Sequence, residues 1–467
     1  MPTRNQLVFY GDDFTGSTDA LELLHLAGIR TALFPNVPTK EQLAAFEDLE
    51  AFGIAGTTRT MGPDRMRETL EPVFDFIRSI NPRHCHYKVC STFDSSPETG
   101  NIGVAMRVGA ACFKSKFVPV LIGVPDLGRY CIFGHLFARL GTGDISPVYR
   151  LDRHPSMAHH PVTPARESDI RLRLKEQAGW ETALFDIFHC RMERAQASEA
   201  LATLLADGYT EAVLFDAFVE SDLSIPGFLM EDNVPEEGTL FSVGSSAVEY
   251  ALAHAWRDNR PTPPEPATAE GAYDEPILVL SGSCSPVTVN QIQEATKAGF
   301  AELALDTVGI FAGNEEAVIS NTVERINRMM RDKKSAILHT YSGPDDGRTR
   351  YTRAAIRKRF SEQAAGSEVP RILGTAMGSI AHQVIEQTGL ERIVVAGGDT
   401  SGHVAAAMGI EAMTVSQPFV RGAPFCRIHA AGSKLDGKEI NFKGGQIGTP
   451  DYFIKAASHS QCHLLTL

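Results

Sequence analysis

Short apolar runs alternate with segments of helical period along most of the chain. The apolar runs of the first half end at polar or glycine-containing turns and predict strands at residues 6–10, 31–34, 51–55, 86–90, 118–124, 183–187 and 212–216. Apolar residues at helical spacing predict helices over residues 18–27, 63–79, 100–113 and 193–206. This alternation is typical of a parallel sheet with helices on both faces.

The same alternation restarts in the second half. It predicts strands at residues 277–280, 336–340 and 392–396 and helices over residues 286–298, 315–330 and 377–387. Between the halves, residues 257–276 contain five prolines and almost no large apolar side chain, which predicts a linker. The predicted fold class is therefore α/β, with two doubly wound domains of mostly parallel sheet, residues 1–256 and 277–467, and a cleft between them.

One stretch, residues 126–165, is rich in glycine, proline and histidine and lacks a clear period. We interpret it as a long loop that forms a flap over the cleft. It contains His154, His159 and His160. A transition-metal site is the alternative, but no helical or strand spacing orients these three imidazoles toward one ion.

Composition and charge limit the partners. Of the 467 residues 43% are hydrophobic, enough for packed cores, and the net charge is −13. Nucleic acid and anionic membranes need clustered cations, so neither is expected as a partner. No apolar run reaches the about 18 residues of a membrane helix, and no signal peptide is expected at the N-terminus. Eight cysteines without a CxxC pair indicate reduced thiols and a cytoplasmic protein.

The segment GDDFTGSTDA, residues 11–20, follows the first predicted strand and opens a helix. Asp12 and Asp13 leave the sheet together at its carboxyl end. Two adjacent carboxylates at that place suit recognition of a hydroxyl group, general-base catalysis or magnesium binding. The structural alternative is a helix cap followed by a turn.

The segment YKVCSTFDSSPETGNIG, residues 87–103, places a lysine on an apolar strand. Burial of the Lys88 ammonium group would be costly without an anion nearby. Ser91, Thr92 and Asp94 follow, and a helix begins after residue 100, so the helix N-terminus and Lys88 together predict an anion site. The alternative is a lysine that extends to solvent beside a capped loop.

Three turns rich in glycine and serine follow predicted strands in the second half: residues 281–285, 397–402 and 444–448. Their backbone amides and small side chains suit phosphate oxygens, and together they are better explained by a nucleotide than by chance. The candidate nucleotide-binding residues are Ser283, Gly397, Gly398, Asp399, Thr400, Ser401, Gly444 and Gly445. Asp399 is the candidate ligand of magnesium, or of a ribose hydroxyl. Neither GxxxxGK[ST] nor a GxGxxG after a strand occurs.

These segments, in this order, resemble the four-carbon acid sugar kinase family along nearly the whole chain. GDDFTGSTDA is similar to the family's opening signature, and YKVCSTFDSSPETGNIG is similar to the form in 3-oxo-tetronate kinases. HPVTPARESDIRLRLKEQ, LSGSCSPVTVNQ, AGGDTSG and FKGGQIG resemble further family motifs. Departures at Gly11, Val162, Asp399, His403 and residues 445–447 suggest a divergent branch, so the particular sugar acid stays open.

The resemblance implies a sugar-acid-binding N-terminal domain and a C-terminal domain that binds ATP with Mg²⁺. The first would bind its substrate through Asp12, Asp13, Lys88, Ser91 and Thr92. Phosphoryl transfer to the terminal hydroxyl would use Asp12 or Asp13 as the base, and Lys88 would pair with the substrate carboxylate or with the transferred phosphoryl group. A homodimer is left open. The alternatives are a non-catalytic sensor of sugar acid or nucleotide, and a dehydrogenase, which would need the dinucleotide motif that is absent.

Overall fold

The computed structural model describes residues 4–141, 146–160, 162–206, 208, 210–257 and 275–458, apart from the side chains of residues 362, 363, 367 and 399. The chain divides into two compact units, residues 1–32 with 36–264, and residues 33–35 with 265–467. The predicted linker, except for residue 257 and its last two residues, lies outside the described residues. None of the helices in the described part of the chain combines the length and the hydropathy of a membrane-spanning segment.

The first unit is built on a parallel sheet. The strands before residue 257 are β1 Leu7–Gly11, β2 Thr31–Phe34, β3 Ala51–Ala55, β4 His84–Lys88, β5 Val118–Leu121, β6 Arg129–Ile132, β7 His135–Arg139, β8 Val148–Arg150, β9 Thr182–Phe185, β10 Ala212–Phe215 and β11 Leu240–Gly244. The sheet order is β2-β3-β1-β4-β11-β5-β10-β9, and the pairs from β3 to β9 are parallel. Every residue of β1, β3, β4 and β11 is buried, as expected for a sheet covered on both faces.

Helices connect these strands. They are α1 Phe14–Leu26, α2 Lys40–Ala44, α3 Pro63–Ile80, α4 Ile102–Phe113, α5 Ile170–Ala178, α6 Arg194–Leu204, α7 Ser224–Asp232 and α8 Ala247–Trp256. Local sequence sets their ends: α3 starts at a proline, whose fixed φ suits a first helical turn, and stops before Asn81 in the left-handed conformation. The strands and helices predicted for this half are observed, with ends that differ by up to four residues.

The prediction of a structureless loop over residues 126–165 is wrong. Strands β6, β7 and β8 form a separate antiparallel sheet within it. Buried and half-buried residues alternate along β7, the pattern of a sheet with one packed face. Such short strands give little periodicity, and the turns between them supply the glycine that suggested a loop.

The second unit has strands β12 Leu278–Ser281, β13 Ala301–Ala304, β14 Ala336–His339, β15 Arg392–Ala396, β16 Ala412–Val420, β17 Ala423–His429 and β18 Glu439–Lys443. Its helices are α9 Pro286–Lys297, α10 Thr307–Phe311, α11 Glu315–Arg331, α12 Arg348–Arg359, α13 Glu362–Thr388, α14 Gly398–Met408 and α15 Tyr452–Ala457. The sheet order is β13-β14-β12-β15-β18-β17-β16, parallel except where β17 pairs with β16 and β18. The expectation of two α/β domains with mostly parallel sheets is confirmed.

Candidate functional site

The carboxyl edge of the first sheet gathers most of the residues predicted to bind the sugar acid. In the parallel register Gly11 of β1 is level with Ala55 of β3 and with Lys88 of β4, and Lys88 is level with Gly244 of β11. The segments that follow these four strands therefore leave the sheet side by side. Parallel sheets of this kind bind ligands at that edge.

Asp13 is held in place by the start of α1. It is the N-cap: its Oδ1 accepts a hydrogen bond from the Gly16 amide at 3.1 Å, and its Oδ2 accepts one from Thr15 Oγ1 at 2.7 Å. Arg59, which follows β3, adds an ion pair to Oδ2 at 2.7 Å. Burial opposes ionisation, but the Arg59 and Lys88 cations outweigh it and hold the pKa of Asp13 below its ordinary value. Asp13 is therefore an ionised carboxylate whose oxygens are already bonded.

Asp12 lies beside it in a different electrostatic state. The residue is only 2% exposed, and among the described residues its Oδ1 has no hydrogen-bond partner. Burial raises the pKa of Asp12 to about 8; the charge of Asp13 adds to this effect, and the Arg59 and Lys88 cations oppose it. Two neighbouring carboxyl groups thus differ widely in pKa, which is the arrangement expected when one of them handles a proton.

Lys88 is 3% exposed and points toward the same carboxylates. Its Nζ lies 3.7 Å from Asp19 Oδ2 on α1. Burial opposes the charge, but Asp19 and Asp13 raise the pKa of Lys88 above its ordinary value. A Cβ atom on Gly16 would lie 2.3 Å from Asp13 Oδ1 and 2.6 Å from Lys88 Nζ, so the close approach of lysine and carboxylate depends on glycine at this position.

The loop after Lys88 carries the other three predicted residues. Thr92 is buried, whereas Ser91 and Asp94 are half-buried, and among the described residues Asp94 Oδ1 has no hydrogen-bond partner. The charge of Asp94 acts on Asp12, which brings this loop into the same site. Phe93 has a φ of +56°, an uncommon conformation for a side chain of that size.

That conformation is fixed by α5. Arg173 donates from Nη2 to the carbonyl oxygens of Phe93 at 2.6 Å and of Ser95 at 3.2 Å, and Gln177 Nε2 donates to Ser95 Oγ at 2.9 Å. Both α5 residues belong to the segment 160–177 that carried part of the resemblance. Their part in the site is to hold the 91–95 loop.

At the N-terminus of α4, where an anion site was expected, two backbone amides are already bonded to side chains of the protein. The Ile102 amide donates to Gln177 Oε1 at 2.8 Å, and the Val104 amide donates to Asn101 Oδ1 at 2.9 Å. Both residues are buried, so these amides are neither exposed nor without a partner. The prediction treated the helix start in isolation and could not include Gln177, which is distant in the sequence.

Two parts of the edge were not singled out from the sequence. One is Arg59, in the turn GTTRT after β3. The sequence did contain a signal for it, namely a cationic residue shortly after a predicted central strand. The other is the turn 244–246 after β11, where the sequence GSS leads into α8 in the same strand–turn–helix pattern as residues 281–285. Its Ser246 hydroxyl is buried and, within the described part of the chain, lacks a partner.

The second unit brings its predicted turns together at the carboxyl edge of its own sheet. Ser281, Ala396 and Lys443 are level in the register of β12, β15 and β18. A Cβ on Gly397 would lie 3.2 Å from the Ser283 amide nitrogen, and one on Gly445 would lie 2.6 Å from Ser283 Oγ. The three turns therefore converge on Ser283, and two glycines permit the approach.

The helix N-termini at this edge are partly capped. Ser285 is the N-cap of α9, where its side chain accepts from the Val287 amide. Helix α14 has no side-chain cap: the Ser401 and Thr400 hydroxyl groups donate to the Gly397 carbonyl, at 2.7 Å and 3.3 Å. Gly398 is the first residue of α14, and Gly444 is the first residue after β18, where the third glycine-rich turn begins. The backbone of Asp399 lies in α14, but its side chain is outside the described residues, so its predicted metal contact stays a prediction.

Lys443 is buried at the end of β18. Its Nζ donates to Thr288 Oγ1 at 3.2 Å and lies 5.4 Å from the centre of the Tyr452 ring. Burial lowers the pKa of Lys443 to about 7. Thr288 Oγ1 in turn donates to the Gly445 carbonyl at 2.9 Å, so the lysine is linked to the glycine turn through one hydroxyl group.

The side chains of His154 and His160 have protein partners. His154 Nδ1 accepts from the Ser156 and Met157 amides at 3.2 Å, and His160 Nδ1 accepts from the Thr163 amide at 3.0 Å. Among the described residues, no group of three or more His, Cys, Asp or Glu side chains could hold a metal ion.

Comparisons with known proteins match both units. Residues 7–252 match the family profile of a sugar-binding N-terminal domain, and residues 278–453 match that of a nucleotide-binding C-terminal domain. The chain is 38% identical over 450 residues to the 3-oxo-isoapionate kinase of Paraburkholderia graminis, covering 96% of this chain and 93% of that one. It is 28% identical over 449 residues to the 3-oxo-tetronate kinase of Cupriavidus necator, covering 95% of each.

Solved structures share the fold. A crystal structure of a Haemophilus influenzae protein superposes with a TM-score of 0.68 at 21% identity, covering 96% of this chain and 98% of that one. A Salmonella typhimurium structure described as a putative tRNA synthase superposes with a TM-score of 0.74 at 22% identity, with the same coverage. At this identity the likeness concerns the fold alone.

The fold and the matches define a two-domain kinase, a phosphotransferase with an alcohol group as acceptor, which uses ATP and a small-molecule substrate. The chain belongs to the four-carbon acid sugar kinase family. The sensor that the sequence left as an alternative is not favoured, because the curated relatives are kinases.

Proposed function

We propose that this protein phosphorylates the terminal hydroxyl group of a small acid sugar, either a 3-oxo acid or a threonate or erythronate. The relatives named above act on 3-oxo-isoapionate or 3-oxo-tetronate, and identity is higher to the former, 38% against 28%. Both are therefore candidate substrates, together with the threonates and erythronates. In this proposal residues 1–256 bind the sugar acid, residues 277–467 bind the nucleotide, and residues 257–276 link them.

The observation that carries the proposal is the buried Asp12 carboxyl group with a pKa of about 8. A general base needs an oxygen atom that is not already bonded to a donor of the protein, and it needs a pKa near the operating pH. Asp12 meets both conditions, since Oδ1 has no partner among the described residues. Asp13 meets neither, because its oxygens are bonded to Arg59, Thr15 and the Gly16 amide. We therefore assign the base to Asp12 and give Asp13 a positioning role.

The transfer itself needs alignment and charge neutralisation more than covalent catalysis. The substrate oxygen attacks the γ-phosphorus atom as its proton passes to Asp12, and the bond between that phosphorus and the β–γ bridging oxygen breaks to release ADP. Lys88 and Arg59 are cations beside Asp12 and would offset the negative charge of the transferred group. Ser91, Thr92 and Asp94 would bind the other hydroxyl groups of the substrate.

For the nucleotide, we assign the phosphates to the turns around Ser283, Gly397 and Gly445. The missing Cβ atoms leave room for backbone amides to approach phosphate oxygens, and two helices begin there. The Ser281 hydroxyl, fully buried at the end of β12 and without a partner among the described residues, adds an oxygen of the kind that Mg²⁺ prefers. Bound with ATP, Mg²⁺ would neutralise charge on the β- and γ-phosphates; Asp399 is its proposed protein ligand.

The test compares Asp12→Asn with Asp13→Asn in an assay of ADP release, using 3-oxo-isoapionate, 3-oxo-tetronate and the threonate and erythronate isomers. D12N should lower kcat by about 10²- to 10⁴-fold while the KM for ATP stays within a factor of two. D13N should lose less. Near-normal kcat in both variants contradicts the assignment of the base. Binding of the acids without ADP release by the wild-type protein would instead support a sensor.

A further inference from the structure

The small sheet β6–β8 is attached to the carboxyl edge of the first sheet, beside the proposed substrate site. Cys131 of β6 and Ala217, just after β10, exchange two backbone hydrogen bonds at 2.9 Å. Asp216 Oδ1 accepts the amide of Gly134, in the turn between β6 and β7, at 3.0 Å. These three hydrogen bonds fix the position of β6 and of its following turn relative to the segment that leaves β10.

Arg129, the first residue of β6, is a half-buried guanidinium group without an acidic partner in the described part of the chain. Its Nη1 donates to the carbonyl oxygens of Leu127 at 2.9 Å and of Gly128 at 3.3 Å, and its buried Nε has no hydrogen-bond partner among the described residues. Burial lowers the pKa of Arg129, and the opposing effect of Asp94 does not outweigh it. The carbonyl contacts fix the side chain while leaving its charge unpaired.

Arg129 shares its electrostatic neighbours with the proposed catalytic residues. The charge of Asp94 acts on Arg129 and also on Asp12. Asp12 and Arg129 are therefore both close enough to Asp94 for its charge to act on them. A short acid that places its hydroxyl group at Asp12 could present its carboxylate to Arg129, since β6 is attached to the same edge of the sheet.

We propose that Arg129 binds the carboxylate of the sugar acid and so determines the specificity for acids over neutral sugars. The inference rests on the proposed function, because it takes the terminal hydroxyl to lie at Asp12. If Arg129 binds the carboxylate, Lys88 takes the other of its two proposed roles. This lysine, which lies 3.7 Å from Asp19 and beside Asp13, then pairs with the transferred phosphoryl group. Arginine suits the carboxylate end of the substrate, because its planar guanidinium donors match the two oxygens of a carboxylate.

The test uses Arg129→Met, with Arg150→Met as the matched control. Arg150 is an arginine of the same small sheet, but it is paired with Asp152 at 2.6 Å on the surface. Each protein is titrated calorimetrically, without ATP, with the threonate and erythronate isomers and with the corresponding amides, and ADP release is measured with the same acids. R129M should weaken acid binding by on the order of 100-fold, leave amide binding within about threefold, and leave the KM for ATP unchanged. R150M should match the wild type.

An R129M protein that keeps the wild-type preference for acid over amide overturns the inference, and so does an equal loss for both ligands. If R129M fails to fold, Arg129→Lys replaces it, and that variant must lower the preference by roughly tenfold because lysine offers no paired donors. Acid binding that depends on Arg129 without any ADP release would support this inference and overturn the proposed function. Normal turnover with Arg129-independent acid binding would do the reverse.

Discussion

The pKa of Asp12 gives a quantitative prediction for the pH dependence of the reaction. A base with a pKa of about 8 is ionised in about one molecule in eleven at pH 7 and in about ten of eleven at pH 9. If Asp12 is the base, kcat/KM for the sugar acid should therefore rise about tenfold between pH 7 and pH 9 and then level off. The rise should be absent from D12N.

The neighbouring Asp13 carboxylate gives a second prediction, which concerns the direction in which the pKa of Asp12 shifts when that charge is removed. The charge of Asp13 raises the pKa of Asp12, so Asp13→Asn should move the rise in kcat/KM to lower pH. Release of ADP is followed by a coupled assay at each pH, with the coupling enzymes in excess at both extremes. A profile that is flat from pH 6 to pH 9 in the wild type, or a rise that persists in D12N, would refute the reasoning.

Two further predictions concern stability and nucleotide binding. Because the folded-state pKa of Asp12 is raised from 3.8 to about 8, its stabilising effect is complete below about pH 4 and is lost as pH rises through 8. In chemical denaturation, the free energy of unfolding of D12N should therefore rise relative to that of the wild type by about 1.4 kcal/mol per pH unit in that window. A difference in unfolding free energy that does not depend on pH would contradict the buried state of this carboxyl group. Gly445→Ala should raise the KM for ATP roughly tenfold, because the new Cβ would lie 2.6 Å from Ser283 Oγ. The control is Gly366→Ala, whose new Cβ would stand in open space on α13. An equal KM for both variants would exclude the glycine turn from the nucleotide site.

Much of the fold follows from local pattern. The central strands β1 and β3 are continuous apolar runs, and polar residues follow close after them, so both the parallel sheet and the placement of Asp12 at its edge were predictable. The extent of α13 was not. Gly366 and Pro370 lie within this helix of 27 residues, and both residue types normally interrupt a helical pattern. The prediction therefore began at residue 377 instead of Glu362.

The electrostatics of the site could not be predicted from neighbouring residues in the sequence. Asp12 and Asp13 are adjacent and chemically identical. The pairing of β1 with β3 brings Arg59 to both, and its charge lowers both pKa values, but only Asp13 also has the hydrogen bonds from Thr15 and the Gly16 amide. Arg129 likewise depends on β6, which was interpreted as part of a loop. Long-range pairing, not residue type, decides these features. The cytoplasmic location, the linker and a homodimer stay predictions.

The position of the phosphoryl group in the product tests the central claim most directly. The wild-type protein would be incubated with ATP and the acid sugar that gives the fastest ADP release, and the product examined by ³¹P NMR with proton coupling. The proposal that the terminal hydroxyl lies at Asp12 and the carboxylate at Arg129 predicts a phosphate ester coupled to the protons of the terminal carbon. An acyl phosphate on the carboxylate, or ADP release without any phosphorylated acid, would contradict it.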